Sequence, residues 1–275
     1  MRIEKVNHED PAVKARIIEF LAPHERHCLF VLGNLRRDFP DSHIYVASRG
    51  TEWVGLTGYY GGPKSMAPFA EDAEAVRGMV HRVAERHPDV RWMTGIAYAA
   101  APAYAEVLRL GFQPDNDPHQ VFMELDGAPP PQPHEDSTRP VRSEDAPELA
   151  LLLRYVQNVV DQRAPVTEEE LSRVRMNPLR HVLVADGRIV STASTNGIGI
   201  KAFQILGVAT APDVRRRGYA SAVCASLIRA MGRESAERCV LFTGRENRPA
   251  QRCYERLGFR TTGAYYVAKF KPPGT

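Results

Sequence analysis

"APDVRRRGYASA", residues 211–222, sets three adjacent arginines against one glycine and a run of small residues. Neighbouring positive charges repel one another. A stretch built only to start a helix would favour Asp or Glu in its first turn, because the helix amino end is already partly positive. The run therefore reads as a solvated face, a nucleic-acid contact, or a seat for a phosphorylated ligand. Its surroundings choose among these. "ILGVAT" before it is an apolar strand pattern, and "ASAVCASLIRAMG" after it carries a helical stripe at Val223, Leu227 and Met231, with Cys224 and Ile228 alongside. The arginines thus lie in a strand-to-helix loop, with the helix starting near Gly218. A helix start exposes backbone N–H groups without internal partners, and its dipole adds attraction for an anion. Gly218 lets backbone approach a ligand, and Ala220 keeps the first turn thin.

Working outward, "TRPVRSEDAPELALLLRYV" reads as a short strand, Ser143 as a helix cap, and an apolar stripe at Leu149, Leu152, Leu153 and Val156. "HVLVADGRIVSTAST" reads as a hairpin turning at Asp186-Gly187, and "KAFQILGVAT" as another strand. "RCVLFTG" is a continuous apolar run, as in a strand buried on both faces. "NRPAQRCYERLGF" has Asn247 as cap, Pro249 in the first turn, Ala250, Tyr254 and Leu257 on the apolar side and Gly258 as stop; "GAYYVAKF" closes the chain with strand. The predicted order is β-α-β-β-β-α-β-α-β-β, an α/β sheet with helices laid against it.

The stretch before residue 139 repeats parts of this plan. "DGAPPPQPHEDSTRP", 126–140, is proline-rich and polar, as semi-rigid linkers are. It divides the chain into 1–126, a linker at 127–138, and 139–275, each half long enough for its own core. "HIYVASRGTEWVG" from His43 parallels "HVLVADGRIVS" from His181, and "APAYAEVLRLGF" (101–112) parallels "RPAQRCYERLGF" (248–259). Aligning the Leu-Gly-Phe stops puts Ala100 opposite Asn247 and Val107 opposite Tyr254. The first half has no counterpart of the arginine loop: its helix at 71–86 opens on Glu71, Asp72 and Glu74, which oppose an anion.

Composition narrows the function classes. The chain has 275 residues, 43% of them apolar and 25% charged, as ordinary folded proteins do. Its formal net charge of +3 is too small, and its basic residues too scattered, for a nucleic-acid binder acting through "RRRG". The basic residues are 6 Lys and 30 Arg, a skew given little functional weight. Cys28, Cys224, Cys239 and Cys253 form no C-x-x-C pair and have no His cluster beside them, so they read as buried free thiols and no metal site is expected. The first residues lack a signal-peptide core and no apolar run reaches membrane-helix length. A cytoplasmic protein with no membrane partner is expected.

The loop 215–220, Arg-Arg-Arg-Gly-Tyr-Ala, resembles the Gln/Arg-x-x-Gly-x-Gly/Ala acyl-CoA loop of the GNAT superfamily of N-acyltransferases. "VATAP" before it is similar to that family's strand along the pantetheine arm, "NRPAQRCYERLGF" to its second motif, and "RPVRSEDAPELALLL" to its opening strand and helix. The likeness covers 139–275. It implies tandem GNAT-like domains: a catalytic carboxy-terminal copy and a degenerate amino-terminal copy without a CoA site. It also implies acetyl-CoA, or another acyl-CoA, as co-substrate and a small-molecule or peptide amine as acceptor, in a monomer or homodimer. By position, Val208, Ala209 and Thr210 line the pantetheine arm. Arg215, Arg216, Arg217, Gly218, Tyr219 and Ala220 hold the pyrophosphate, Asn247 contacts the pantetheine, and Tyr254 protonates the departing thiolate. A core aromatic is the other reading of Tyr254, which shares a face with Ala250 and Leu257.

An alkyl amine of pKa near 10.4 costs roughly 4.6 kcal/mol to deprotonate at pH 7. Many relatives use a Glu on the central strand, but "KAFQILGVAT" offers only Gln204. Glu168, Glu169, Glu170, Glu246 and His181 are substitutes by rough location, and no base is assigned. The missing base keeps open a second class, an acyl-CoA-binding sensor without transferase activity.

Overall fold

The computed structural model describes residues 1–36, 39–157, 164–175 and 179–273. The chain forms two compact units, one of Met1–Phe122, Phe242–Glu246 and Thr261–Thr275, the other of Met123–Leu241 and Asn247–Arg260.

The first unit begins with β1 (Arg2–Val6), α1 (Pro11–Leu21) and α2 (Leu29–Arg36). It continues through β2 (Ser42–Arg49), β3 (Glu52–Tyr60), β4 (Ser65–Ala70), α3 (Ala73–Arg86), β5 (Trp92–Ile96), α4 (Ala97–Arg109), β6 (Gln113–Pro114) and β7 (His119–Asp126). The strands β1 to β4 pair antiparallel in sequence order, and β4 meets β5 in parallel across the α3 crossover. Ile17, Leu21, Ile44, Val46 and Leu56 are fully or almost fully buried in its core.

The second unit runs β8 (Thr138–Pro140), α5 (Ala146–Gln157), α6 (Glu168–Arg175), β9 (Arg180–Ala185), β10 (Arg188–Ile198), β11 (Ala202–Thr210), α7 (Tyr219–Arg233), β12 (Arg238–Gly244) and α8 (Arg248–Arg256). Strands β8, β9, β10 and β11 pair antiparallel, and β11 meets β12 in parallel. The predicted turn at Asp186-Gly187 has φ of 50° and 75°, the two positive values that a tight hairpin needs. The α7 stripe is buried: Val223, Leu227 and Met231 are at most 5% exposed. Burying each such side chain contributes about 1.5–3 kcal/mol, so this face, more than helix propensity, holds α7.

Three local readings change. The helix α6 was not anticipated; it is tied down by a buried ion pair described below. The Ser143 hydroxyl is not the cap of the α5 segment: Ser143–Asp145 form a 3-10 turn, and the Asp145 carboxylate accepts from Arg142 N at 2.7 Å and from Arg139 at 2.6 Å. After α8 a single strand, β13 (Arg260–Lys271), replaces the expected pair. The side chain of Val156, the last predicted stripe position of α5, lies outside the described residues.

The repeat is visible in the element order, β-α-α-β-β-β-α-β-α in both units, and in the Leu-Gly-Phe stops. Gly111 and Gly258 terminate α4 and α8 at φ of 90° and 94°. This left-handed stop is the reason both copies use glycine. The compact units do not coincide with the division expected at 127–138. The last strand, β13, pairs antiparallel with β5 through Tyr265–Ile96 to Lys269–Trp92, and so completes the sheet of the first unit. The proline-rich segment is docked on the second unit, where Arg229 of α7 donates to Pro129 O and to Glu135, both at 2.9 Å.

Candidate active site

The arginine loop leaves β11 at Thr210, passes through a 3-10 turn at Pro212–Val214 and enters α7 at Gly218. Arg216 and Gly218 have φ of 67° and 86°. Left-handed residues next to right-handed ones in a turn can aim backbone N–H groups at a common anion. At Arg216 the left-handed conformation costs about 1–2 kcal/mol, since the residue has a Cβ. At Gly218 a Cβ would meet nothing within 4 Å. The space above it is open, and the conformation is what requires glycine. No side chain caps α7, and its first turn holds no acidic residue. The Asp213 carboxylate is paired with Arg188, which holds it below the usual carboxylate range. Arg215, Arg216 and Arg217 are exposed. Arg215 Nε donates to Thr210 O at 3.2 Å, anchoring the loop to its strand.

A cleft of about 550 Å³ opens against this loop. It is lined by Val208, Ala209, Thr210, Arg215, Arg216, Gly218, Tyr219, Ala220, Asn247 and Tyr254, so the structure brings nearly all the sequence-predicted positions together. Arg217 is not among the lining residues. Ser221, Pro249, Ala250, Cys253, Arg256 and Tyr155 also line the cleft and were missed. Helical spacing from Asn247 points to most of the α8 residues; Tyr155, from α5, has no local sequence signal.

The strand edge is equally open. The β11–β12 ladder pairs only 202–204 with 238–240, although β11 continues to Thr210. On its other side β11 stays paired to β10, with a register shift between the Thr192–Ala209 and Ser194–Leu206 pairs where Gly207 sits at φ 60°. This bulge bends the strand. Backbone groups at 208–210 are thus free of the β12 ladder beside the cleft.

Tyr254 meets both sequence readings. It is 8% exposed and packs 5.9 Å from Phe259, yet it borders the cleft. Burial pushes its phenol well above 10. Asn247 Oδ1 accepts from Ala250 N at 3.4 Å, a helix cap as expected. Ser221 Oγ and Cys253 Sγ are 3.2 Å apart, and burial raises the Cys253 thiol, as it does the other three cysteines, all free and buried.

Among the described residues no carboxylate lines the cleft. Glu170 grips Arg154 and is pulled down to about 2 by that ion pair. Glu168 pairs with Arg175 at 2.7 Å. His181 Nδ1 bonds Ser226 Oγ at 2.8 Å and is lowered by burial to about 4. Gln204 lies in the part of β11 paired with β12. Also among the described residues, no group of three or more His, Cys, Asp or Glu could hold a metal ion, and no helix is long and apolar enough to cross a membrane.

The first unit differs at the corresponding helix start. Asp72 caps α3, its carboxylate accepting from Glu74 N at 2.8 Å and pairing with Arg49. In α4, Ala100 and Val107 are fully buried, with neither an amide nor a phenol at the positions opposite Asn247 and Tyr254.

Comparison with known proteins agrees with this geometry. Residues 142–259 match the model of the Acetyltransferase (GNAT) family. A GCN5-related N-acetyltransferase from Sphaerobacter thermophilus is 18% identical, with 100% of this chain and 96% of that one covered and a TM-score of 0.63. A tandem GNAT protein from the clavulanic acid biosynthesis pathway is 15% identical, with 100% and 99% covered and a TM-score of 0.62. These likenesses show the fold: tandem GNAT-like domains, each a mixed sheet flanked by helices. No curated protein matches the sequence significantly.

Proposed function

We propose that the chain is an acyl-CoA-dependent N-acyltransferase, most simply moving acetyl from acetyl-CoA to a primary amine of a small molecule or peptide by direct attack in a ternary complex. The observation that carries this reading is the start of α7 at Gly218 without a side-chain cap, in a cleft lined by Arg215, Arg216, Arg256 and Tyr254, beside the part of β11 not paired with β12. The residues fit the co-substrate. Backbone N–H groups of 216–220 and the arginines 215–217 would hold its pyrophosphate, each charge-assisted bond adding about 1.5–3 kcal/mol. Residues 208–210 and Asn247 would meet the pantetheine arm.

In this reading the neutral amine attacks the thioester carbon, the C–S bond breaks, the thiolate takes the Tyr254 proton, and the proton that the nitrogen loses passes to solvent, from which the phenolate is reprotonated. A phenol raised by burial is fully protonated at neutral pH and so available as a donor. The chemistry belongs to the second unit, with the first as a degenerate copy lacking the cofactor seat. Buried free thiols suit a reducing, cytoplasmic setting.

The lack of a carboxylate along the cleft favours a second reading, an acyl-CoA sensor that binds without transfer. Incubation with acetyl-CoA and a panel of amines, following free thiol, separates the two. Release that depends on the amine supports transfer. Tight binding with no release over the whole panel supports the sensor. Calorimetric titration with acetyl-CoA is expected to give one site per chain, and two equal sites would remove the functional division between the copies.

A further inference from the structure

Among its described residues the second unit buries two arginines, and they are treated very differently. Arg154 is 2% exposed and fully served: Nε and Nη2 donate to the two Glu170 oxygens at 2.7 and 2.8 Å, and Nη1 and Nη2 to Ala164 O and Pro165 O at 2.7 and 3.0 Å. Arg180, the first residue of β9, is 5% exposed and has no carboxylate partner among the described residues. Among the described residues its guanidinium makes a long hydrogen bond from Nη1 to Thr192 Oγ1, 3.3 Å, and its buried Nε has no partner. Burial alone lowers it to about 10, so it stays cationic at neutral pH. Burying an unpaired cation is strongly unfavourable, which marks Arg180 as a candidate for a counter-charge supplied by a ligand.

Position says which ligand. His181 bonds Ser226 of α7, so its neighbour Arg180 points to the opposite face of the sheet, the face covered by α5. There it lies over the β11 bulge. A Cβ at Gly207 would sit 3.1 Å from Ser194 Oγ and 4.0 Å from Arg180 Nη1. Gly207 immediately precedes Val208, where the cleft lining begins. Neighbouring hydroxyls cannot neutralise the charge, and two already serve backbone: Ser194 Oγ donates to Leu206 O and Thr192 Oγ1 to His181 O.

We propose that Arg180 is a specificity residue that binds a carboxylate carried by one of the two substrates, next to the reacting end of the cleft. The Arg180 Nε has no partner and its Nη1 only a long bond to a hydroxyl, and a guanidinium edge of this kind matches the two oxygens of a carboxylate. The carboxylate belongs either to the amine acceptor, as in an amino acid, or to a dicarboxylic acyl group. The proposal rests on the acyl-transfer reading for which end of the cleft reacts, but not for the existence of the anion seat.

The test uses the full chain, wild type and the variants Arg180→Gln and Arg180→Lys. The first readout is independent of activity: calorimetric binding of glycine, β-alanine, acetate and succinate against their amides, in the presence of free CoA. Wild type is expected to bind at least one carboxylate at least tenfold tighter than its amide, with that preference lost in Arg180→Gln and partly kept in Arg180→Lys. The second readout is kcat/KM. An acceptor carboxylate gives a preference for amino acids over amino amides with acetyl-CoA, whereas an acyl carboxylate gives a preference for succinyl-CoA over acetyl-CoA with a neutral amine. Melting temperature guards against a purely structural role: an unpaired buried cation predicts that Arg180→Gln melts at or above wild type. No carboxylate preference in either readout, or a clear fall in melting temperature with equal loss for every substrate, overturns the proposal. Transfer without such a preference would leave the acyltransferase reading standing and remove only this one.

Discussion

The chain contains two helices that start after a sheet strand in the same place of a repeated plan, and they begin in opposite ways. In α3, Asp72 supplies its own anion to the first turn, accepting from Glu74 N and pairing with Arg49. In α7, Gly218 supplies nothing, and the loop before it presents exposed arginines. Both solve the same physical problem, a row of N–H groups without internal partners. The first solution is internal; the second leaves the helix start without a side-chain cap, which is what the proposed anion seat requires. The difference teaches that one repeated plan can satisfy a helix start from within, through Asp72, or leave it without a side-chain cap, as at Gly218, and keep the same element order.

The strongest way to break the comparison is to make α7 start like α3. Gly218→Asp puts a carboxylate and a Cβ at a position of positive φ. Losing one or two charge-assisted bonds, about 2.7 kcal/mol in all, weakens CoA binding about 100-fold. Calorimetry that found unchanged affinity would displace the loop from the binding site.

Tyr254→Phe tests the other end of the cleft. Turnover is expected to fall about 10- to 100-fold, the lower range for a lost general acid, with CoA affinity nearly unchanged. An unaltered rate in a steady-state thiol assay would leave Tyr254 as a packing residue beside Phe259.

The converse change in the first unit has a smaller effect. Asp72→Ala removes a helix cap and should destabilise the protein by about 1 kcal/mol in denaturant unfolding. It should not create a second CoA site, because α3 has no counterpart of Arg216 or Gly218 before it. A second site appearing in calorimetry would mean that Asp72 alone blocks the copy.

The smallest contrast is in acid. Each unit carries one histidine lowered from 6.5 to about 4 mainly by burial, His27 and His181. Both are neutral when folded, whereas the unfolded chain protonates them below about 6.5. The unfolded state therefore binds more protons between 6.5 and 4, and stability falls as the pH falls through that window. His27→Gln and His181→Gln should each flatten the fall in melting temperature, with no effect at pH 8; unchanged slopes would contradict the burial argument.

Much of the candidate site was legible because its rules are local. The helix start at Gly218, the Asn247 cap, the Asp186-Gly187 turn and the Gly258 stop depend on a few adjacent residues. The helix α6 was not legible, because its acidic sequence reads as surface. What holds it is Glu170 reaching Arg154 sixteen residues earlier, with Thr167 N donating back to Glu170 at 2.9 Å. Tyr155 in the cleft wall and Arg180 beneath the bulge were illegible for the same reason: nothing near them in sequence reports what they face.

By itself the sequence determined where a helix would begin without an anion of its own, and which of two repeated plans would do so. Short-range backbone preferences and side-chain charge suffice for that. Only the tertiary structure decided that β13 completes the sheet of the first unit, that the proline-rich segment lies against α7, and that Arg180 is buried without a counter-charge. Strand pairing and burial depend on residues far apart in the chain, so their outcome is fixed only when the whole chain has packed.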